Sequence, residues 1–282
     1  MLAACGVSDD DVADIGPQRP GTDAPVIEDP GPVHVHGLGI DPGDQALFVA
    51  THTGLFRAAK DERKATRVGD RYQDTMAFTI LGRGRFMGSG HPDGRDKLPP
   101  FLGLIESRDA GKTWQPISLQ GKVDFHLLEA SGRRVYGFGS DFETRKPRFM
   151  TSGDHGKSWV DRKIPDPFLS LAINPGNPRH LIAAGENGLH VSRDAGASWR
   201  ALGGRRGLLA WTSKDKLYLV DEDGNVAVSR NDGEDWKAVG NVGGPPAAVD
   251  SAAPGRLLGA LHDGTIKQSE DGGVTWRVRS RP

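Results

Sequence analysis

Residues 107–114 read Ser-Arg-Asp-Ala-Gly-Lys-Thr-Trp, a motif of the form Ser-x-Asp-x-Gly-x-Thr/Ser-Trp that recurs along the chain. Further copies begin at Ser152, Ser192 and Ser269, and a degenerate copy begins at Ser229. The motif tryptophans, at positions 114, 159, 199, 236 and 276, are spaced 45, 40, 37 and 40 residues apart. A period of this length is typical of repeats that each contain four β-strands. The sequence therefore predicts a ring of similar blades.

The chemistry of the motif is that of a tight turn between two antiparallel strands. A short Asp side chain accepts backbone N–H bonds within a turn, and Gly adopts the left-handed conformation that other residues resist. The tryptophan offers a large apolar face for packing against the adjacent sheet. We therefore interpret these Asp, Gly and Trp residues as structural, and as a sign of the fold rather than of an activity.

A copy without the motif precedes the first turn, because Gly54-Leu55-Phe56 matches Gly188-Leu189-His190 of a later repeat. Each copy holds four predicted strands, A to D; they span 169–173, 180–184, 189–192 and 199–202 in the fourth repeat, and 247–249, 257–261, 265–268 and 276–279 in the last. We expect a single all-β, six-bladed β-propeller over residues 33–282. Because the last blade takes all its strands from the C-terminal end, the ring should close by packing of blade one on blade six, or through the segment around Val26 and Ile27.

The N-terminal end differs in kind from the rest. Residues 6–32 hold seven acidic residues, one basic residue and five prolines. Such a segment buries too little apolar surface to offset its ordering entropy, so we predict that residues 1–32 form a flexible tether. Leu2-Ala-Ala-Cys5-Gly resembles a bacterial lipobox, which implies a lipid on Cys5 and an extracytoplasmic, membrane-anchored protein.

Composition excludes several classes of protein. A net charge of −1 gives no overall attraction to nucleic acid or to an anionic membrane surface. The chain has no run of 18 apolar residues, so we expect contact with a membrane only through the lipid. One cysteine excludes an intrachain disulfide framework and a thiolate metal cluster. We expect a monomer.

Antiparallel strand order places the B–C loops and the D–A linkers on one side of the ring, here called the top face, where propellers usually admit ligands. Five of the nine histidines fall on this face within the first three blades: His34, His36, His52, His91 and His126. The same loops carry the carboxylates Asp70, Asp74, Asp93, Asp124 and Glu143, together with Arg71, Tyr72, Arg95 and Arg145.

Three functions fit this set of residues. Several imidazoles with one or two carboxylates can bind a transition metal such as copper or zinc, and the five histidines are the candidate ligands. Alternatively, two of the carboxylates act as acid and base on a glycan, with the arginines and Tyr72 holding the ligand. In the third interpretation the face binds a partner or a small molecule and catalyses no reaction.

The motif resembles the Asp-box, or BNR repeat, of sialidases and sortilin-like receptors, and this resemblance implies Asp-box hairpins in a propeller. From residue 33 to about 280 the chain is also similar to secreted bacterial Asp-box proteins labelled glycosylhydrolase or exo-alpha-sialidase-like, which implies a hydrolase of the glycosidase type. The matching stretches are His34-Val-His-Gly-Leu-Gly, Thr51-His-Thr-Gly-Leu-Phe, Arg71-Tyr-Gln-Asp-Thr-Met, Gly88-Ser-Gly-His-Pro-Asp and Asp124-Phe-His. The Arg-Ile-Pro segment of sialidases is missing, which argues against sialidase activity.

Overall fold

The computed structural model describes residues 31–282, and within that range the chain forms strands and no helix. Blade one contains β1 (Val35–Ile40), β2 (Leu47–Thr51), β3 (Gly54–Ala58) and β4 (Thr66–Arg67), and blade two β5 (Asp74–Gly82), β6 (Arg85–His91), β7 (Leu104–Ser107) and β8 (Gln115–Ser118). Blade three contains β9 (Val123–Ser131), β10 (Arg134–Asp141), β11 (Pro147–Ser152) and β12 (Val160–Arg162), and blade four β13 (Phe168–Asn174), β14 (Asn177–Gly185), β15 (Gly188–Ser192) and β16 (Arg200–Gly203). Blade five contains β17 (Leu208–Ser213), β18 (Lys216–Val220), β19 (Asn225–Ser229) and β20 (Lys237–Asn241), and blade six β21 (Pro246–Ala253), β22 (Arg256–Leu261), β23 (Ile266–Ser269) and β24 (Arg277–Ser280).

Each sheet has four antiparallel strands in chain order, which confirms the predicted all-β, six-bladed propeller. The A strands of neighbouring blades contact one another around the ring, from β1 through β5, β9, β13, β17 and β21 back to β1. No described residue belongs to a helix long and apolar enough to cross a membrane. The predicted lipid site at Cys5 and the tether up to residue 30 lie outside the described residues.

The repeated turn joins strands C and D of five blades. In its first copy Asp109 accepts bonds from the backbone N–H of Thr113 at 2.9 Å and from the Thr113 hydroxyl at 2.7 Å. The hydroxyl of Ser107 donates to Asp109 at 2.9 Å and accepts the N–H of Gly111 at 2.8 Å. The same four bonds recur around Asp154, where the Ser158 hydroxyl holds the pKa of the carboxyl well below its usual range.

The motif tryptophans lie in the turn, one residue before strand D. Strand β16 begins at Arg200 and β24 at Arg277, so the predicted starts at Trp199 and Trp276 were one residue early. From this position in the turn, the ring of Trp199 packs on Phe149 of blade three, with ring centroids 5.8 Å apart. Each such indole therefore anchors its own turn to the blade before it.

Six apolar clusters hold the ring together, and each lies between two neighbouring blades. The cluster that closes the ring combines Leu47, Val49 and Phe56 of blade one with Leu258 and Ile266 of blade six. Blade one thus packs directly on blade six, as one of the two predicted modes of closure requires. The alternative segment, Val26 and Ile27, is outside the described residues.

Candidate metal centre

β-Bulges near the top of the inner strands aim side chains at the ring axis. The pairing of β1 with β2 shifts register and leaves His36 outside the ladder, and the same shift in β9 leaves out His126. Bulges at the matching points of β5, β13 and β21 leave out Met76, Leu169 and Ala247. A bulge re-aims a side chain, and both histidines consequently line the mouth of an axial channel of about 120 Å³.

Asp74, at the start of β5, joins three of the predicted histidines. Its Oδ2 atom lies 2.9 Å from Nδ1 of His52 and 3.1 Å from Nδ1 of His91. Because a carboxylate can only accept, both imidazoles donate through Nδ1 and keep a lone pair on Nε2. The other carboxylate oxygen, Oδ1, lies 3.9 Å from Nε2 of His36.

Asp124 holds the remaining part of the cluster, on β9 of blade three. Its Oδ2 atom lies 3.3 Å from Nε2 of His126 and 3.6 Å from Nε2 of His91. The exposed His34 approaches from the opposite side, with its ring 5.5 Å from the ring of His52. The structure thus brings all five predicted histidines together with Asp74 and Asp124 in one cluster on blades one to three.

The environment of the cluster shifts three pKa values. Burial and the neighbouring His52 lower the pKa of His36 to about 4, although the charge of Asp74 opposes them. Burial would raise the pKa of Asp74, but hydrogen bonds from His91 and His52 hold it below its usual value. The hydrogen bond to Asp74 raises the pKa of His91 against the effect of burial.

Three of these residues can hold a metal ion. One ligand atom from each of His36, His52 and Asp74 lies within 4.8 Å of the others. His36 Nε2 and Asp74 Oδ1 are buried, and neither has a hydrogen-bond partner among residues 31–282. A buried polar atom without a partner is costly, and a metal cation between the two would satisfy both.

The arginines and the other two carboxylates of the blade-two loops form a second network. Arg95 holds Asp93 through Nε at 2.9 Å and Nη2 at 2.6 Å, and its Nη1 reaches the exposed Asp70 at 3.2 Å. These hydrogen bonds hold the pKa of Asp93 well below its usual range. Arg71 pairs with Asp96, and Tyr72 lies half-exposed in the same loops. This network ties two loops together, and Asp93 is fully engaged in it.

The blade-three loop stands apart from the cluster. Glu143 and Arg145 are both exposed. The guanidinium of Arg145 lies 5.9 Å from the ring of Phe101, which in turn packs against His91 at 5.5 Å. Phe101 was not among the predicted site residues, because an apolar residue in a long loop gives no signal of its own.

Two half-buried acids deeper in the axial channel were also missed. Glu129 of β9 and Asp250 of β21 line the channel below the histidines. Burial raises the pKa of Asp250 to about 7, and burial together with the charge of Asp250 raises that of Glu129 well above its usual value. Asp250 directly follows the predicted inner strand 247–249, and this position next to a strand that faces the axis was the available signal.

The top face also carries a cleft on its other half. The cleft has a volume of about 450 Å³ and lies over blades four to six, between Leu169, Leu208 and Pro246. Its rim includes Asp221, Glu222 and Asp223. These loops hold none of the predicted site residues, but the cleft gives the top face room for a ligand larger than a metal ion.

Comparison with known proteins supports the fold. No protein-family model matches the chain. Sortilin from Danio rerio is 25% identical over 156 residues, covering 49% of this chain and 19% of sortilin, so the chain spans about a fifth of that relative's length. Among solved structures, YCF48 bound to a D1 peptide matches with a TM-score of 0.54 and 16% identity over 88% of this chain and 82% of its own. An ancestral GH74 enzyme matches with a TM-score of 0.58 and 12% identity over 89% of this chain and 39% of its own.

Proposed function

We propose that this protein is an extracytoplasmic, lipid-anchored propeller that binds a transition-metal ion, copper or zinc, through His36, His52 and Asp74. One observation carries the proposal. His36 Nε2 and Asp74 Oδ1 are buried 3.9 Å apart without hydrogen-bond partners in the described range, and His52 is within reach of both. Like charges on converging imidazoles repel, so a metal cation is the partner that suits them near neutral pH.

The donor set selects the kind of metal. Imidazole nitrogen with one carboxylate oxygen suits zinc and copper, whereas calcium and magnesium prefer oxygen donors alone. Three protein ligands leave a fourth position for water or an anionic ligand. Such a position gives the site a chemical use, since a metal-bound water is acidified towards neutral pH.

Location rests on the N-terminal sequence. The lipobox-like Leu2-Ala-Ala-Cys5 followed by an acidic, proline-rich segment is typical of a domain held away from a membrane by a lipid and a tether. The recurrent turns with their Asp and Trp residues resemble the turns of secreted Asp-box propellers. A site open to the outside would meet metal ions, glycans or small molecules there.

Elemental analysis of protein purified without an affinity tag tests the metal proposal. We expect about one equivalent of copper or zinc at this site, lost in a His36→Ala variant because its buried nitrogen is a ligand. His155→Ala is a matched control: His155 is exposed and has a φ of 62°, while Ala110 and Ala195 hold the same turn position at 61° and 63°. Equal metal content in both variants would contradict the assignment.

Glycoside hydrolysis is the second candidate. The half-buried Asp74 and the buried Asp124 flank the single ring of His91, and the 450 Å³ cleft shares their face. Two carboxylates across a sugar-sized space are what such catalysis needs. The GH74 enzyme shares the fold alone. Hydrolysis of a glycan by metal-free protein would favour this candidate, whereas a protein with neither metal nor hydrolysis would be a binding module.

A further inference from the structure

A pocket of about 350 Å³, here called the seam pocket, lies where blade one meets blade six. It is bounded by the loop between β3 and β4 on one side and by residues of β22, β23 and β24 on the other. None of the residues of the candidate metal centre lines it. A volume of this size falls within the range of small-molecule sites. The seam pocket is therefore a separate place where the described part of the chain can hold a ligand.

The lining of the seam pocket is basic. Five of its side chains are cationic and two are anionic: Lys60, Arg63, Arg256, Arg277 and Arg279 against Asp61 and Glu62. The carboxylate of Glu62 already accepts the backbone N–H of Ala59 at 3.0 Å. A concave surface with an excess of one charge attracts ligands of the opposite charge. The charge of the lining therefore favours an anion.

Arg279 is the buried cation of the seam pocket. The residue is 8% exposed, and its hydrogen bonds within residues 31–282 all go to neutral backbone carbonyl groups of blade one. Burial and the charge of Arg277 lower the pKa of Arg279, although the charges of Asp61 and Glu62 oppose them. A cation taken out of water without a paired counter-ion carries a desolvation cost. An anion in the pocket would offset this cost.

The other cations of the seam pocket also have few counter-charges. Arg256 and Arg277 share one carboxylate, that of Glu270, at 2.7 Å and 3.1 Å. Lys60 and Arg63 are exposed, and neither side chain pairs with an acid in the part of the chain that the structure describes. The cations thus outnumber the carboxylates around them even when Glu270 is included.

We propose that the seam pocket binds an anion of the phosphate type, and that the bound anion joins blade one to blade six. Guanidinium groups present paired N–H donors that match the oxygens of a phosphate group, and an ammonium group adds a further charge. Lys60 and Arg63 belong to blade one, whereas Arg256 and Arg279 belong to blade six. Free phosphate and a phosphate ester of a small molecule share this chemistry. The proposal is independent of the metal site, since the two share no residue.

Calorimetric titration of the full chain with inorganic phosphate, at constant ionic strength, tests the proposal. We expect one equivalent to bind, and the double variant Lys60→Ala/Arg63→Ala to bind about tenfold more weakly or less, because two charged donors are lost. Both side chains are exposed, and the backbone carbonyl of Arg63, which accepts the Ser280 hydroxyl at 3.0 Å, is kept. A parallel titration with glucose 6-phosphate identifies the source: tighter binding of the ester assigns the pocket to phosphorylated small molecules, and equal or weaker binding to free phosphate.

Arg200→Ala is the control for the loss of positive charge. Arg200 lies on β16 of blade four, is 57% exposed and pairs with Glu234 at 2.6 Å. This variant should bind phosphate as the wild type does. His36→Ala should do so too, which excludes phosphate held by the proposed metal ion.

Hydrogen exchange reports where the anion binds. Phosphate should slow exchange in β4 and β24 and leave β15 of blade four unchanged, because a ligand stabilises the segments that it joins. A wild type that binds no phosphate, or equal affinities in the double variant and Arg200→Ala, would overturn the proposal. Binding that is lost in His36→Ala would place the anion at the metal and would also overturn the seam pocket as its site.

Discussion

Asp250 is a single residue whose ionisation opposes folding. It lines the axial channel together with Glu129, His36 and His126. Burial raises its pKa to about 7, although the N–H of Ser251 donates to it at 2.6 Å. The folded protein therefore keeps a proton that the unfolded chain loses near pH 4, so stability falls as the pH rises from about 4 to about 7.

Asp250→Asn should remove this penalty. We expect little gain in the free energy of unfolding at pH 4 and a gain on the order of 4 kcal/mol at pH 7.5, measured by chemical denaturation. Asp263→Asn, an exposed turn residue of the same blade whose pKa is lowered by a backbone bond from Thr265, should show no such gain. The same gain at both pH values would mean that ionisation is not its cause.

For single residues, the sequence predicted that the five histidines share one face, but it did not predict the role of each side chain. The five histidines gather because loop order places them on one face, and Asp74 lies between them in the linker to blade two. Asp93 looked equivalent to Asp74, yet Arg95 is two residues away and engages it completely. The difference depends on side-chain directions in a loop, which spacing does not encode.

At the scale of elements, the turn motif requires its glycine as well as its Ser and Asp. Gly156 has a φ of 79°, and a Cβ there would lie 2.1 Å from Leu104 Cδ2 of blade two. We expect Gly156→Ala to lower the free energy of unfolding by about 2 kcal/mol or more, because both the backbone and the packing are strained.

Gly153 of the same turn provides the matched control. It has ordinary backbone geometry, and a Cβ there would meet no atom within 4 Å. Gly153→Ala should therefore change stability by less than about 0.5 kcal/mol in the same thermal or chemical unfolding experiment. Equal effects of the two substitutions would show that the turn does not need its left-handed glycine.

Strands and turns could be predicted because their signals are local: short apolar stretches and a turn motif with defined chemistry. The bulges could not, although they aim His36 and His126 at the axis. A bulge arises where the inner strand must fit both its own sheet and the crowded ring centre, and this constraint comes from other blades. His36 was placed on the correct face, but the bulge that displaces it carries no sequence signature.

At the scale of the molecule, the ring closes between blade one and blade six. The apolar contact between blades one and six is accompanied by polar bonds from the last strand to the loop between β3 and β4. Arg279 donates to the carbonyl groups of Glu62 at 2.6 Å, Ala59 at 2.8 Å and Ala58 at 3.3 Å. Arg281 donates its N–H to Arg63 and pairs in parallel with Lys64.

These bonds join residues more than 200 positions apart, so they act on the ring as a whole. Arg279→Ala would remove the guanidinium from three carbonyl groups at a seam where the residue is 8% exposed, and of these Ala59 would still accept the N–H of Glu62. We expect a loss of about 2–4 kcal/mol in the free energy of unfolding, and faster hydrogen exchange in β1, β4 and β24 than in blade four. Arg277→Ala is the control, since its side chain is 66% exposed and pairs with Glu270 on the surface. If Arg279→Ala matches this control, the apolar cluster between blades one and six alone closes the ring.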